Sequence, residues 1–434
     1  MSVLRLCAAA SFATFAAASL VATASAAPAT AGGRTSVWPV HAGESINAAI
    51  RMAQPGDTVQ VREGTYRERI IIDKPIRLEG IGKPTISAAY EGDVIRVKAK
   101  DVTIRGLIVR DSGIDLGAQN AGIYVMPGSD GINISNCDLV TNLFGIWLEQ
   151  SRDAVLQGNL ITGRRDLMSQ MRGNGIQVYN TDDTKVIDNT VSYSRDGIYV
   201  DYSRRATFRG NRVHHVRYGT HYMNTHDSLW EGNTVHQSRG GLALMEVRNL
   251  IVRNNIAWGN EDHGIMLRTI QDSVIENNIV SGNGRGFFIY DAEFNTLRGN
   301  LVIGNQTGVH LTAGSSNNAV DGNDFINNAE QVRFVASKDV EWGRNRGNYW
   351  SNYSGWDQDN DGQGDVLYQA NDVVDRLHWQ YPLLKLLLSS PAVQTLRFVS
   401  RQFPLLRAPS VIDKHARMQP WNTEWRKWHG RQAD

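Results

Sequence analysis

Apolar and polar residues alternate in short runs that return at a fixed interval between Gly122 and Glu330. Each run opens on a glycine followed by an apolar-x-apolar triplet. The glycines are Gly122, Gly145, Gly175, Gly197, Gly219, Gly241, Gly264, Gly286 and Gly308, so the spacings are 23, 30, 22, 22, 22, 23, 22 and 22. Alternation of this kind is a strand signal and does not fit a 3.6-residue period. A repeat of about 22 residues marks a solenoid.

Fourteen residues after each of the first eight glycines stands an asparagine: Asn136, Asn159, Asn189, Asn211, Asn233, Asn255, Asn278 and Asn300. Two positions further on an apolar residue recurs, as in Ile161, Val191 and Val213. Three short strand patterns per period, separated by turn residues, predict one coil of a right-handed single-stranded parallel β-helix. The asparagines then stack as an amide ladder. No coil can bury its own apolar row, so the next coil covers it, at the strand spacing of about 4.8 Å. The 30-residue segment reads as an ordinary coil with about eight extra residues projecting within 163–173.

The flanks divide the rest. Residues 1–26 read as a signal peptide: Arg5, an apolar run to Val21 and a small-residue site at Ala24–Ala26. Cleavage there leaves Cys137 as the sole cysteine and excludes an internal disulfide. Residues 27–40 read as a flexible leader and 41–345 as the coils with their N-terminal lid. That lid is a short helix capped by Ser45, with Ile46, Ala49, Ile50 and Ala53 on one face. An aromatic and acidic loop region covers 346–370. A docking or capping segment covers 371–418 and contains a helix opened by Ser390-Pro391, with Val393, Leu396, Val399 and Phe403 as its apolar face. Residues 419–434 show no period and read as a disordered tail.

The chain has 434 residues, 41% of them hydrophobic, and a net charge of +1, a balance that gives no footprint for nucleic acid. The chemistry lies on the outer face of the coils. Alternation points the second and fourth residues after each glycine outward. His221, Met223, Met245 and Met266 then fall on neighbouring coils. Thioethers with an imidazole suit Cu(I). Methionine is also an adaptable interface residue, so the same rows, with Met126, Trp147 and Tyr199, read equally as a docking face for a partner protein. His214 and His236 lie 22 residues apart and form a second metal candidate, with polar turn residues as the plainer reading.

Two further constellations compete. Glu149 and Asp201 sit on one outward row two coils apart, about 9–10 Å between backbones, which is compatible with the carboxylate separation of an inverting glycosidase. Asp357, Asp359, Asp361 and Asp365 match the opening of a Ca²⁺ loop, but Tyr368 stands where the closing glutamate belongs. Phosphate-cradling and nucleophile-elbow motifs are absent, which argues against nucleotide hydrolysis by this chain.

The run Gly347-Asn348-Tyr349-Trp350-Ser351-Asn352-Tyr353, the run Ser390-Pro391-Ala392-Val393-Gln394-Thr395-Leu396 and the stretch from Pro404 to Val411 resemble the NosD family, periplasmic maturation proteins of nitrous oxide reductase. The resemblance implies a periplasmic, non-enzymatic scaffold for assembly of that enzyme's copper clusters. It implies as partners an ABC transporter permease with its ATPase, a copper chaperone lipoprotein and the reductase itself. Membrane contact is then made only through the transporter, and the C-terminal helix gains a docking role. The alternative is an exported β-helix polysaccharide lyase or glycoside hydrolase.

Overall fold

The computed structural model describes residues 35–312, 314–335, 340–371, 390–402 and 410–428. The expected signal peptide, most of the expected leader and Phe403 lie outside the described residues.

The strands collect into three long parallel sheets of 13, 13 and 12 strands, and each coil gives one strand to each sheet. The first sheet runs from Val37–Val40 to Ala319–Asp321, the second from Thr65–Arg67 to Tyr349–Trp350, and the third from Ile70–Ile72 to Glu330–Phe334. The expected parallel β-helix is therefore the architecture. Inward residues form one continuous core: in the third sheet Ile123, Ile146, Ile176 and Ile198 lie one above another and are fully buried. Each such side chain contributes roughly 1.5–3 kcal/mol by leaving water, but only when the coil above is in place. The period glycines sit at corners where adjacent coils nearly touch; a Cβ on Gly241 would collide with the Gly264 carbonyl.

The asparagine ladder runs through Asn159, Asn189, Asn211, Asn233, Asn255, Asn278, Asn300, Asn323 and Asn348. Each side-chain oxygen accepts from the backbone and side-chain amides of the asparagine one coil earlier, for example Asn211 to Asn233 at 2.9 Å from both. Asn136 is not a rung. Its backbone is left-handed, and Cys137 takes the ladder position, its backbone N–H donating to Asn159. Burial pushes the Cys137 thiol up to about 11 and removes it as a soft ligand. A second ladder, not expected from the sequence, joins Asn260, Asn283, Asn305 and Asn328 at the corner between the second and third sheets.

Helix α1 (Ile46–Met52) lids the first coil as expected, with Ser45 Oγ accepting from the Ala48 amide and Ile46 and Ile50 buried. Three boundaries differ from the sequence reading. Val37–Val40 is a strand paired with Thr58–Val61, so the leader ends before it. The coils continue past 345, because Tyr349–Trp350 pairs with Asp324–Phe325 and Asn348 is a rung. The tail is held in place to residue 428: Trp425 and Trp428 pack on Leu301, Ile303 and Ile326, and Asp324 accepts from the Trp421 and Asn422 amides. These contacts are remote in sequence and leave no local period. Helix α2 (Pro391–Gln402) carries the expected Ser390 cap. Among the described residues no helix is long and apolar enough to cross a membrane.

Candidate functional site

Three strands of the third sheet, β1 (Tyr218–Met223), β2 (Gly240–Arg248) and β3 (His263–Gln271), carry the soft donors. Their register places Met223 beside Met245, and His221 beside Ala243 beside Met266. Ala243, Met245 and Met266 form a small outer cluster, with Tyr218, Met223 and Phe288 packed on it. The three methionines thus share one patch, and His221 stands at its edge, beside Ala243 and two coils from Met266. They are less open than a water-facing row suggests: Met245 is 7% and Met266 9% exposed. Each flexible thioether fills the space beside the next.

Two carboxylates orient the imidazoles beside this patch. Asp196, 1% exposed, pairs with Arg217 and lies 3.0 Å from His221 Nδ1. Burial alone would raise its pKa; the His221 and Arg217 hydrogen bonds outweigh burial and hold the carboxyl below its usual range. Arg217 Nη2 stands 3.3 Å from the same His221 Nδ1, so Asp196, Arg217 and the ring meet at one nitrogen, and no described residue hydrogen-bonds Nε2. His263 lies 3.4 Å through Nδ1 from Asp262, whose carboxyl is held well below its usual range by His263 and then Arg285, against the cost of burial. His263 is 1% exposed, and its Nε2 has no hydrogen-bond partner.

The other sequence candidates are placed elsewhere. His214 stacks on His236 at 5.1 Å between ring centroids, and His236 on Trp258 at 4.7 Å, on the outer face of the second sheet. Both end strands and are not turn residues; His214 Nδ1 lies 2.7 Å from His215 Nδ1, whereas His236 Nδ1 turns to the Gln237 side chain at 3.1 Å. Glu149 and Asp201 are in register through Tyr179, two coils apart. Glu149 accepts from the Tyr124 hydroxyl, and Asp201 from the Tyr199 hydroxyl and Asn224. Tyr199 packs edge-on to His221 at 4.8 Å, its hydroxyl pushed up to about 12 by burial and by Asp201. Trp147 is 7% exposed against Phe144 and Tyr124, and Met126 is half-buried. On α2, Val393, Leu396 and Val399 are half-buried.

Asp357, Asp359 and Asp361 come together in the acidic loop, whereas Asp365 turns to the Gln358 amide. The three accept from amides of their own turn, Asp361, Gly362 and Gln363. That accounts for the cluster as an acidic turn without a cation.

Sequence reasoning missed Asp196 and the role of His263. Both stand one position before a period glycine, outside the outward alternation, and reach the outer face only because the chain turns a corner there. A polar residue recurring immediately before the glycine was the available signal.

A family model described as "Periplasmic copper-binding protein (NosD)" matches residues 157–355. A relative from Stutzerimonas stutzeri named "Probable ABC transporter binding protein NosD" is 37% identical over 372 residues, 82% of this chain and 85% of its own. A relative of the same name from Pseudomonas aeruginosa is 38% identical, over 86% of this chain and 93% of its own. Among solved structures, the Streptococcus pneumoniae surface adhesin PfbA superposes with a TM-score of 0.54 at 13% identity, covering 67% of this chain and 87% of PfbA. A Yersinia enterocolitica family 28 exopolygalacturonase gives 0.51 at 10% identity, covering 70% and 77%. These two share the fold alone. The two relatives match along most of the length of both chains, and the chain belongs to the NosD family.

Proposed function

We propose that this chain is an exported, non-enzymatic accessory protein that receives Cu(I) on the outer face of its third sheet and serves maturation of the copper clusters of nitrous oxide reductase. It works beside an ABC transporter, in keeping with the names of its relatives, and takes its ion from a copper chaperone lipoprotein. The carrying observation is the register that sets Met223 beside Met245, with His221 and Met266 on either side of Ala243. Three thioethers and one imidazole are soft donors that favour Cu(I) over Mg²⁺ or Ca²⁺. The patch is partly covered, so an ion bound there leaves part of its coordination to an incoming partner. The half-buried stripe of α2 is the proposed contact with the transporter.

The test is titration of the chain against a competing Cu(I) chelator. Simultaneous substitution of His221, Met223 and Met245 by alanine weakens the affinity at least about tenfold, the scale on which metal-site partners register. Equal affinity in the triple variant removes the site. Docking is read separately: Met245→Glu puts a charge in the apolar patch and abolishes co-purification with the chaperone or the reductase. The polysaccharide reading is tested by release of reducing ends from pectin- or alginate-like polymers, lost in Glu149→Gln.

A further inference from the structure

The coil from Gly145 to Gly175 spends 30 residues where its neighbours spend 22 or 23. The surplus projects from the corner between the second and third sheets, after the strand Leu160–Thr162 and before Ile176–Tyr179. The projection is a fixed turn. Arg172 donates to the carbonyls of Leu167 and Arg165 within it, and to that of Tyr193 on the next coil. Leu167 packs on the cluster of Phe144 and Trp147. So held, the turn presents two methionines to solvent: Met168 is 67% and Met171 51% exposed. They stand three residues apart across the short 3-10 turn Ser169–Met171, a spacing that puts both on one side.

Around this turn the uncompensated charge has one sign. Arg165 lies over the Tyr193 ring at 4.1 Å, and Tyr193 stacks on His215. Arg195 joins the same corner, its backbone amide donating to the Gly173 carbonyl. Arg212 shares an outward face with His214, whose ring meets Tyr193 edge-on. None of Arg165, Arg172, Arg195 and Arg212 has a carboxylate in ion-pair reach among the described residues. The acid of the insertion, Asp166, is taken by Arg164, and the buried Asp196 by Arg217. The first sheet does the opposite. Its outward row of Arg209, Glu231, Arg253, Glu276, Arg298 and Asp321 alternates in sign coil by coil. The solenoid neutralises a row from within there, and leaves this corner positive.

We propose that this corner is a docking surface for another polypeptide, through a segment that sets carboxylates about an apolar side chain. The methionine pair takes the apolar residue, and the four arginines take the carboxylates. The inference does not depend on the copper reading. A guanidinium fork matches a carboxylate through two parallel hydrogen bonds. Arginine, tyrosine and methionine are the residues that protein interfaces gather, and a thioether reshapes to what it meets. Like charges collected without partners repel one another in the free chain, and a partner's carboxylates relieve that repulsion. An anionic lipid surface offers the same charge, but Asp166, 58% exposed between Arg165 and Met168, would face it. A polypeptide can set a donor against that carboxylate.

Two probes test this on the full chain. One is a labelled synthetic peptide with glutamates on both sides of a Leu-Phe pair; its control carries glutamine in place of every glutamate. The other is a phosphatidylglycerol vesicle. The glutamate peptide binds, and its affinity falls as salt is raised. The glutamine control binds at least about tenfold more weakly, the least that losing close charge pairs at an interface costs. Arg165→Glu combined with Arg195→Glu and Arg212→Glu lowers affinity for the glutamate peptide by a similar factor. Met168→Ser with Met171→Ser lowers it too. That second variant changes no charge and alters exposed side chains only, so it reads the surface even where the arginine variant folds poorly. Equal binding of the two peptides, wild-type affinity in the methionine variant, or binding of the vesicles in place of the peptide overturns the docking surface.

Discussion

Asp413 accepts hydrogen bonds from both the backbone amide and the side-chain amide of Asn348, at 3.0 and 2.9 Å, and so ends the asparagine ladder. Every rung before it donates onward and needs an acceptor beyond it. An ionised carboxylate accepts without donating, so the series can stop there. Asp413 also accepts from Trp350 Nε1, which lies in a stack with Phe325, Trp342 and Tyr368.

Removing that stop strands three buried donors. Asp413→Ala is expected to lower stability by at least about 3 kcal/mol, since each unsatisfied buried group costs about 1–3. Asp413→Asn loses less, because its side-chain oxygen still accepts. In a stack of nearest-neighbour units the loss is local. Hydrogen exchange should accelerate in the last coils and stay slow near Asn189; uniform acceleration contradicts a terminal stop.

The histidine column on the second sheet predicts a pH dependence. Burial, then the neighbouring His236 and His215, bring His214 down to about 4 from an unfolded value of 6.5. As pH falls, the unfolded chain takes up this proton first. Stability is therefore full above pH 6.5 and lost progressively toward 4. His236 is lowered for the same leading reason, and His310 is brought to about 4 by burial and by Arg285 and Arg333. His214→Gln should make the thermal midpoint fall less steeply between pH 6.5 and 4. An identical slope in the variant would mean that the ring titrates as if free.

Asp196 predicts a separation of binding from folding. Asp196→Asn keeps the shape and removes the charge that holds His221 and Arg217 in place. Cu(I) affinity should drop by roughly ten- to a hundredfold, as for other outer-shell partners. His214→Gln, on a different face, should leave that affinity alone. Equal losses in both variants would point to a general loosening of the coils.

The C-terminal tail is latched by the Asp324 carboxylate on the Trp421 and Asn422 amides, at 2.8 and 2.7 Å. Arg346 and Arg417 lie against the Trp421 ring, at 3.8 and 3.9 Å. Asp324→Ala removes two charge-assisted bonds worth about 1.5–3 kcal/mol each. Trypsin should then cut at Arg426 and Lys427 much faster, while the coils before Asn300 keep their protection. An unchanged cleavage rate counts against the latch.

The coils were legible in the sequence because every period repeats the same demand: an apolar residue facing in, a glycine at the corner, an asparagine at the turn. Met223 beside Met245 followed from that arithmetic. What escaped it depends on contacts the period does not encode. Asn136 is displaced from the ladder by one residue, with Cys137 in its place. Asp413 stands 65 positions from Asn348. His263 belongs by alternation to the inward set and is carried outward by a corner. Trp421 and its neighbours follow no repeat because they bind across many coils at once.

A row of amides that all point the same way has a head and a tail. Windings can be appended only where an acceptor is still open, and here a carboxylate has closed that end. Lengthening this tower at its far end therefore requires displacing the closing residue first, whereas a winding slipped into the middle leaves both ends as they are.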